Sequence, residues 1–118
     1  MILQAVDPSL MENAKRASDF LKAVANENRL IILCALAQGE KNVGELEEIL
    51  GIRQPTLSQQ LSRLRSEDMV KTRRASKQIY YRIASDEALE LVGLIYDLFC
   101  SSQTENADGA VVSSTVSC

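Results

Sequence analysis

Asn42-Val43-Gly44-Glu45-Leu46-Glu47-Glu48-Ile49-Leu50-Gly51-Ile52-Arg53-Gln54-Pro55-Thr56-Leu57-Ser58-Gln59-Gln60-Leu61-Ser62-Arg63-Leu64-Arg65 reads as two short helices broken at a glycine. Asn42, with Glu45 three residues on, has the spacing of a capping box that opens a helix through Leu46, Ile49 and Leu50. Gly51 ends that helix. Pro55 starts the next, because the N–H it lacks is one that a first helical turn leaves unbonded. From Pro55 to about Glu67, Leu57, Leu61 and Leu64 make a narrow apolar seam, while Thr56, Ser58, Gln59, Ser62, Arg63 and Arg65 take the other faces. One face packs and the others offer hydrogen bonds. Such a pair predicts a helix-turn-helix whose second helix is polar in the way a groove-reading helix must be.

The charge agrees with that reading. Eight of the thirteen basic residues lie between Arg53 and Arg82, opposed only by Glu67 and Asp68, so this stretch carries +6 inside a chain of net charge −3. The rest carries −9. A basic surface on an acidic body points to a polyanion met by one face, and duplex nucleic acid is the natural partner.

Downstream, Met69 to Arg74 and Gln78 to Ala84 read as two strands, with Ile79, Tyr81 and Ile83 alternating with Gln78, Tyr80 and Arg82. Ala75-Ser76-Lys77 is the expected hairpin tip, and Arg73, Arg74 and Lys77 around it make a cationic finger. Ser85 caps a last helix running to about Cys100, with Asp86 and Glu87 in its first turn. That helix has two apolar stripes. Leu89, Val92, Tyr96 and Phe99 form one, and Leu91, Leu94, Ile95 and Leu98 form another. A surface helix needs only one, so the second predicts a homodimer interface.

Upstream, Leu10, Ala14, Ala17, Leu21 and Val24 recur at helical steps from Pro8 to about Ala25, Asn26 breaks the pattern, and Leu30 to Ala37 form a second helix apolar on nearly every side. Gly39 stops it. The reading is therefore one winged helix-turn-helix domain over residues 1–100, mainly α with a two-stranded β wing, followed by a polar, aperiodic tail over 101–118. No apolar run approaches the roughly 20 residues of a membrane span, and the N-terminus lacks the order of a secretory signal, so a cytoplasmic location is expected. In a reducing compartment the three cysteines are not read as structural staples. Histidine is absent, which removes the commonest catalytic base and transition-metal ligand. No cofactor and no resident metal are expected.

The element order, together with Val43-Gly44-Glu45-Leu46, Gln54-Pro55-Thr56-Leu57-Ser58-Gln59-Gln60-Leu61 and Gln78-Ile79-Tyr80-Tyr81-Arg82, resembles the ArsR/SmtB family of bacterial repressors over roughly residues 14–100. The resemblance implies a homodimeric winged helix that binds an inverted-repeat operator in double-stranded DNA and lets go when an inducer binds. By position, Gln54, Thr56, Ser58, Gln59, Ser62 and Arg63 of the reading helix and Arg74 and Lys77 of the wing would contact DNA. The Cys-x-Cys pair of the family's metal sensors would fall near Asn42 to Leu46, where no cysteine stands. Leu33-Cys34-Ala35 and Phe99-Cys100, 66 residues apart at the cysteines, resemble instead the dithiol pair of the BigR/SqrR-type branch. That likeness implies sensing of reactive sulfur species, the persulfides and polysulfides, through a tetrasulfide-type link between Cys34 and Cys100, and target genes for sulfide detoxification.

Other readings stay open at this level. Taken alone, Cys34 suits a small core hydrophobe and Cys100 a packing residue at a helix end. Cys118 reads as an incidental thiol. The same cysteines could answer As(III), a soft metal or general oxidants. A redox enzyme is disfavoured, since neither histidine nor Cys-x-x-Cys is present. A dimeric interaction module without DNA binding would have no use for the polar helix and basic wing.

Overall fold

The computed structural model describes residues 7–101; the expected tail, with Cys118, lies outside them apart from Ser101. Helix α1, Pro8–Val24, starts where the Asp7 side chain accepts from the Ser9 N–H. Helix α2, Glu27–Leu36, begins three residues earlier than the apolar run suggested, because Asn26, besides ending α1, accepts from the Arg29 N–H and caps the next helix. A short strand β1, Lys41–Asn42, then leads into α3, Val43–Leu50. Both halves of the capping box are present: Glu45 N–H donates to Asn42 Oδ1 and Asn42 N–H to Glu45 Oε1, each at 2.8 Å. Gly51, at φ 70°, closes α3 in the left-handed region that favours glycine.

Helix α4, Gln54–Ser66, follows after three residues and buries its leucine seam completely or nearly so, Leu57, Leu61 and Leu64 being 0 to 2% exposed. Each such side chain contributes about 1.5–3 kcal/mol by leaving water. The helix ends in a Schellman motif: Met69 N–H donates to Leu64 O at 3.0 Å and Asp68 N–H to Arg65 O at 2.9 Å, with Asp68 at φ 60° where glycine is usual. The chain is thereby turned into strand β2, Val70–Ala75, paired antiparallel with β3, Gln78–Ile83.

Ala75 pairs with Gln78, so the hairpin tip is the two-residue turn Ser76-Lys77, one residue shorter than expected. Both residues have positive φ, 53° and 67°, the signature of a type I′ turn. β1 also pairs with β3, Lys41 opposite Tyr81 and Asn42 opposite Tyr80, so the sheet has three strands in the order β1-β3-β2. Helix α5, Asp86–Tyr96, is capped by Ser85 and continues as a π-helical turn over Asp97–Ser101.

The core gathers Ile32, Leu33, Leu36, Leu46, the α4 seam, Met69, Val70 and Val92, with Cys34, Tyr81 and Leu91 packed partly against it. The expected stripes of the outer helices fare differently. Of Leu89, Val92, Tyr96 and Phe99 only Val92 is buried, because α5 turns Ala88 and Val92 inward and leaves the other three in solvent. Leu91 of the second stripe rests partly on the chain's own core, while Leu94 and Leu98 are 52% and 58% exposed. In α1 only Ala23 and Val24 are buried, and Leu10, Met11 and Leu21 of the same helix are exposed.

Candidate DNA interface and thiol site

Packing of the seam settles which side of α4 faces out. Gln54, Thr56, Ser58, Gln59, Ser62 and Arg63 are all exposed. No side chain caps the start of α4, so the N–H groups of Gln54 and Thr56 stand at the positive end of its dipole, an arrangement that suits a phosphate oxygen. Arg63 already sits 3.6 Å from Glu67 one turn on. Both side chains are substantially exposed, so the pair is weak enough for a phosphate to compete with it.

The wing divides its cations between two faces. Arg74, opposite Ile79, and Lys77 in the turn are exposed and project at the tip. Arg73 does not join them, which corrects the expected three-residue finger: strand alternation puts it on the other face, opposite Tyr80. There its Nε donates to both carboxylate oxygens of Glu40 at 2.9 and 2.8 Å, its Nη2 lies 2.8 Å from Glu40 Oε1, and its guanidinium lies 4.9 Å from the Tyr80 ring centre. That hydrogen bond, with the nearby positive charge, holds the Glu40 carboxyl below its ordinary range and raises Arg73 above its own. Arg73 thus ties the wing to the segment before β1.

A second residue had no marker in the sequence. Arg29 of α2 donates from Nε to Ala23 O, from Nη2 to Lys22 O at 3.3 Å and from Nη1 to Gln60 Oε1 at 2.9 Å. Burial, and then the charge of Arg63, lowers its affinity for the proton, but a guanidinium stays charged throughout the physiological range.

Cys34 is half-buried on the side of α2 that packs on α5. It lines a cleft of about 370 Å³ with Ala37, Gln38, Leu89, Val92, Gly93, Tyr96 and Asp97. Cys100, also half-buried, lies in the π turn. Of the residues in that turn, Asp97 lines the cleft beside Cys34 and Cys100 is not among its lining residues. A larger groove of about 760 Å³, between α1 and the start of α5, contains neither cysteine. Among the described residues no cluster of three or more metal-ligating side chains forms, and no helix is long and apolar enough to cross a membrane.

Helix-turn-helix, wing and outward polar face together define a winged-helix DNA-binding protein. Residues 26–72 match the profile of the bacterial regulatory protein, arsR family. The chain is 49% identical over 96 residues, 81% of its length and 82% of the relative's, to the biofilm growth-associated repressor of Agrobacterium fabrum. The crystal structure of the transcriptional repressor BigR from Xylella fastidiosa superimposes with a TM-score of 0.76 at 43% identity, covering 81% of this chain and 98% of that one. A homodimeric winged helix-turn-helix domain from Mycobacterium bovis, described as a possible ArsR-family regulator, matches with a TM-score of 0.69 at 29% identity over 87% of this chain and 95% of that one. The chain belongs to the ArsR family. It is a DNA-binding transcriptional repressor of the BigR type and not an enzyme.

Proposed function

We propose that the protein binds an inverted-repeat operator as a homodimer and releases it when reactive sulfur species link Cys34 to Cys100. The observation that carries this reading is the placement of one thiol on α2 and the other at the end of α5, two helices packed on each other, with a cleft beside Cys34. The likeness to repressors named for BigR supports it. Exposed Leu94 and Leu98 on α5 and Leu10, Met11 and Leu21 on α1 supply the apolar surface for a two-fold interface, with Leu91 and Ile95 at its inner edge. Each half-site then receives one α4, two half-sites lying about 34–36 Å apart along the duplex.

The switch is thiol–persulfide exchange. The Cys34 thiolate attacks the outer sulfur of R–S–SH, that sulfur becomes the terminal atom of a Cys34 persulfide, and R–SH departs; Cys100 is loaded in the same way. Attack by the terminal sulfur of one persulfide on the inner sulfur of the other expels hydrosulfide and leaves a bridge of three sulfurs, or of four where one thiol has first taken up a further atom. A direct disulfide requires Cα atoms roughly 4.4–6.8 Å apart. A longer bridge spans a wider gap, so if the two Cα atoms stand beyond that range, selectivity for persulfide over peroxide would be geometric. The link fixes α2 to the end of α5 and biases the dimer. Derepressed genes of sulfide detoxification would then remove the inducer.

Operator affinity and intact mass, measured before and after a persulfide donor, test this. Cys34→Ser and Cys100→Ser should each bind operator and hold it after treatment, while Cys118→Ser should release it like the parent. The released parent should weigh more than its simple disulfide form by whole sulfur atoms, and reductant should restore binding. Normal release by Cys34→Ser would end the bridge mechanism.

A further inference from the structure

Arg29 joins three elements through one side chain. Its guanidinium reaches back to Ala23 O and Lys22 O, carbonyls in the last turn of α1, and forward to Gln60 in the middle of α4. The α1 carbonyls are among those a helix leaves without intrahelical partners, and they sit at the negative end of its dipole, so a cation is favoured there. A planar guanidinium with fixed N–H directions serves both ends at once; the compact ammonium of a lysine does not. Gln60, half-buried between exposed Gln59 and buried Leu61, lies on the edge of α4 turned toward the body.

The leucine seam already holds α4 to the core, but apolar burial is non-directional and tolerates a small roll of the helix about its axis. Hydrogen bonds to a fork of fixed geometry do not. We infer that Arg29 is a positioning residue for operator recognition, setting through Gln60 the roll of α4 relative to α1 and hence the angle at which Gln59 and Ser62 meet the bases. The inference rests on α4 being the reading helix. A small roll leaves charge attraction to phosphates almost unchanged, because Coulomb energy varies slowly with distance, yet it misaligns hydrogen bonds to base edges. The signature is therefore lost discrimination rather than lost affinity in general.

Gln60→Leu keeps the bulk and removes the acceptor. Operator affinity should fall about tenfold and affinity for a random duplex less than about twofold, with the salt dependence unchanged. The thermal midpoint should move little. Gln60→Glu offers the guanidinium a charged acceptor and should restore the ratio of operator to random affinity, even as its negative charge weakens both equally. Arg29→Lys, which keeps the cation but not the fork, should reproduce the Gln60→Leu ratio and serves if that variant folds poorly. Equal losses on both sequences, no loss on either, or failure of Gln60→Glu to restore the ratio would overturn the assignment. Gln59→Ala, run alongside, separates the two ideas: an unchanged ratio in both Gln59→Ala and Gln60→Leu removes α4 as the reading helix, whereas a ratio lowered only in Gln59→Ala keeps α4 and rejects the role of Arg29.

Discussion

Replacing Ser76-Lys77 by Asn-Gly should make the protein more stable and its DNA binding weaker, two effects of opposite sign from one turn. Both residues occupy left-handed backbone, at φ 53° and 67°, where a residue with a Cβ is disfavoured by roughly 1–2 kcal/mol and where Asn-Gly is the preferred pair. The greater chain entropy of glycine in the unfolded state takes back about 0.5–1 kcal/mol. A net gain of about 1 kcal/mol per protomer remains, or a rise of about 4–8 °C in the midpoint for a domain of this size. Lys77 is exposed at the tip of the wing, and if it meets one phosphate its loss makes the log–log salt slope shallower by about 0.9 per wing, about 1.8 for a symmetric dimer. Circular dichroism melts at fixed protein concentration measure the first quantity, and fluorescence anisotropy across a salt series on operator and random duplex measures the second. An unchanged slope would refute the phosphate contact. A lower midpoint would refute the turn geometry.

Gln59→Ala should lose about 1–3 kcal/mol on the operator and much less on random duplex, as titrations of both would show; equal losses would remove Gln59 from the reading set. Leu94→Glu combined with Leu98→Glu introduces charge at positions already half in solvent, so each protomer should keep its core while sedimentation equilibrium at micromolar concentration shows monomer in place of dimer. Glu40→Gln should lower the unfolding midpoint at neutral pH. Because the folded-state pKa of Glu40 is depressed, the stabilisation it confers is present above its unfolded value and is lost as pH falls through the folded one, so the parent and variant should converge in acid.

What could be read in advance was local. The Asn42-Glu45 capping box, the Gly51 break and the leucine seam of α4 each depend on residues within one or two turns, and each stands where the spacing put it. β1 was not legible, since two residues carry no periodicity and Lys41-Asn42 become a strand only by pairing with Tyr81 and Tyr80 some forty residues on. Arg73 and Arg29 look like any other solvated cation in a sequence. Their roles come from Glu40, 33 residues away, and from main-chain carbonyls that no residue type advertises. For α5 the apolar pattern ran almost all the way round, so it could announce a second partner without saying which side turned inward. The two thiols were marked only by a likeness to a known pair, and their helices meet through core contacts of α2 and α5 rather than through any linear signal.

Helix α1 extends about 25 Å, yet among the described residues it buries only two side chains, both in its last turn. A helix of this length with so little tertiary support is marginal in water. In the dimer proposed here its remaining apolar surface is covered by the partner, so subunit separation melts secondary structure as well as parting two surfaces. Association then carries a folding term: the ordering of α1 weakens the dimer, and the same ordering makes the heat capacity and cooperativity of unfolding depend on protein concentration. A protomer separated from that dimer would keep its core and lose the order of α1.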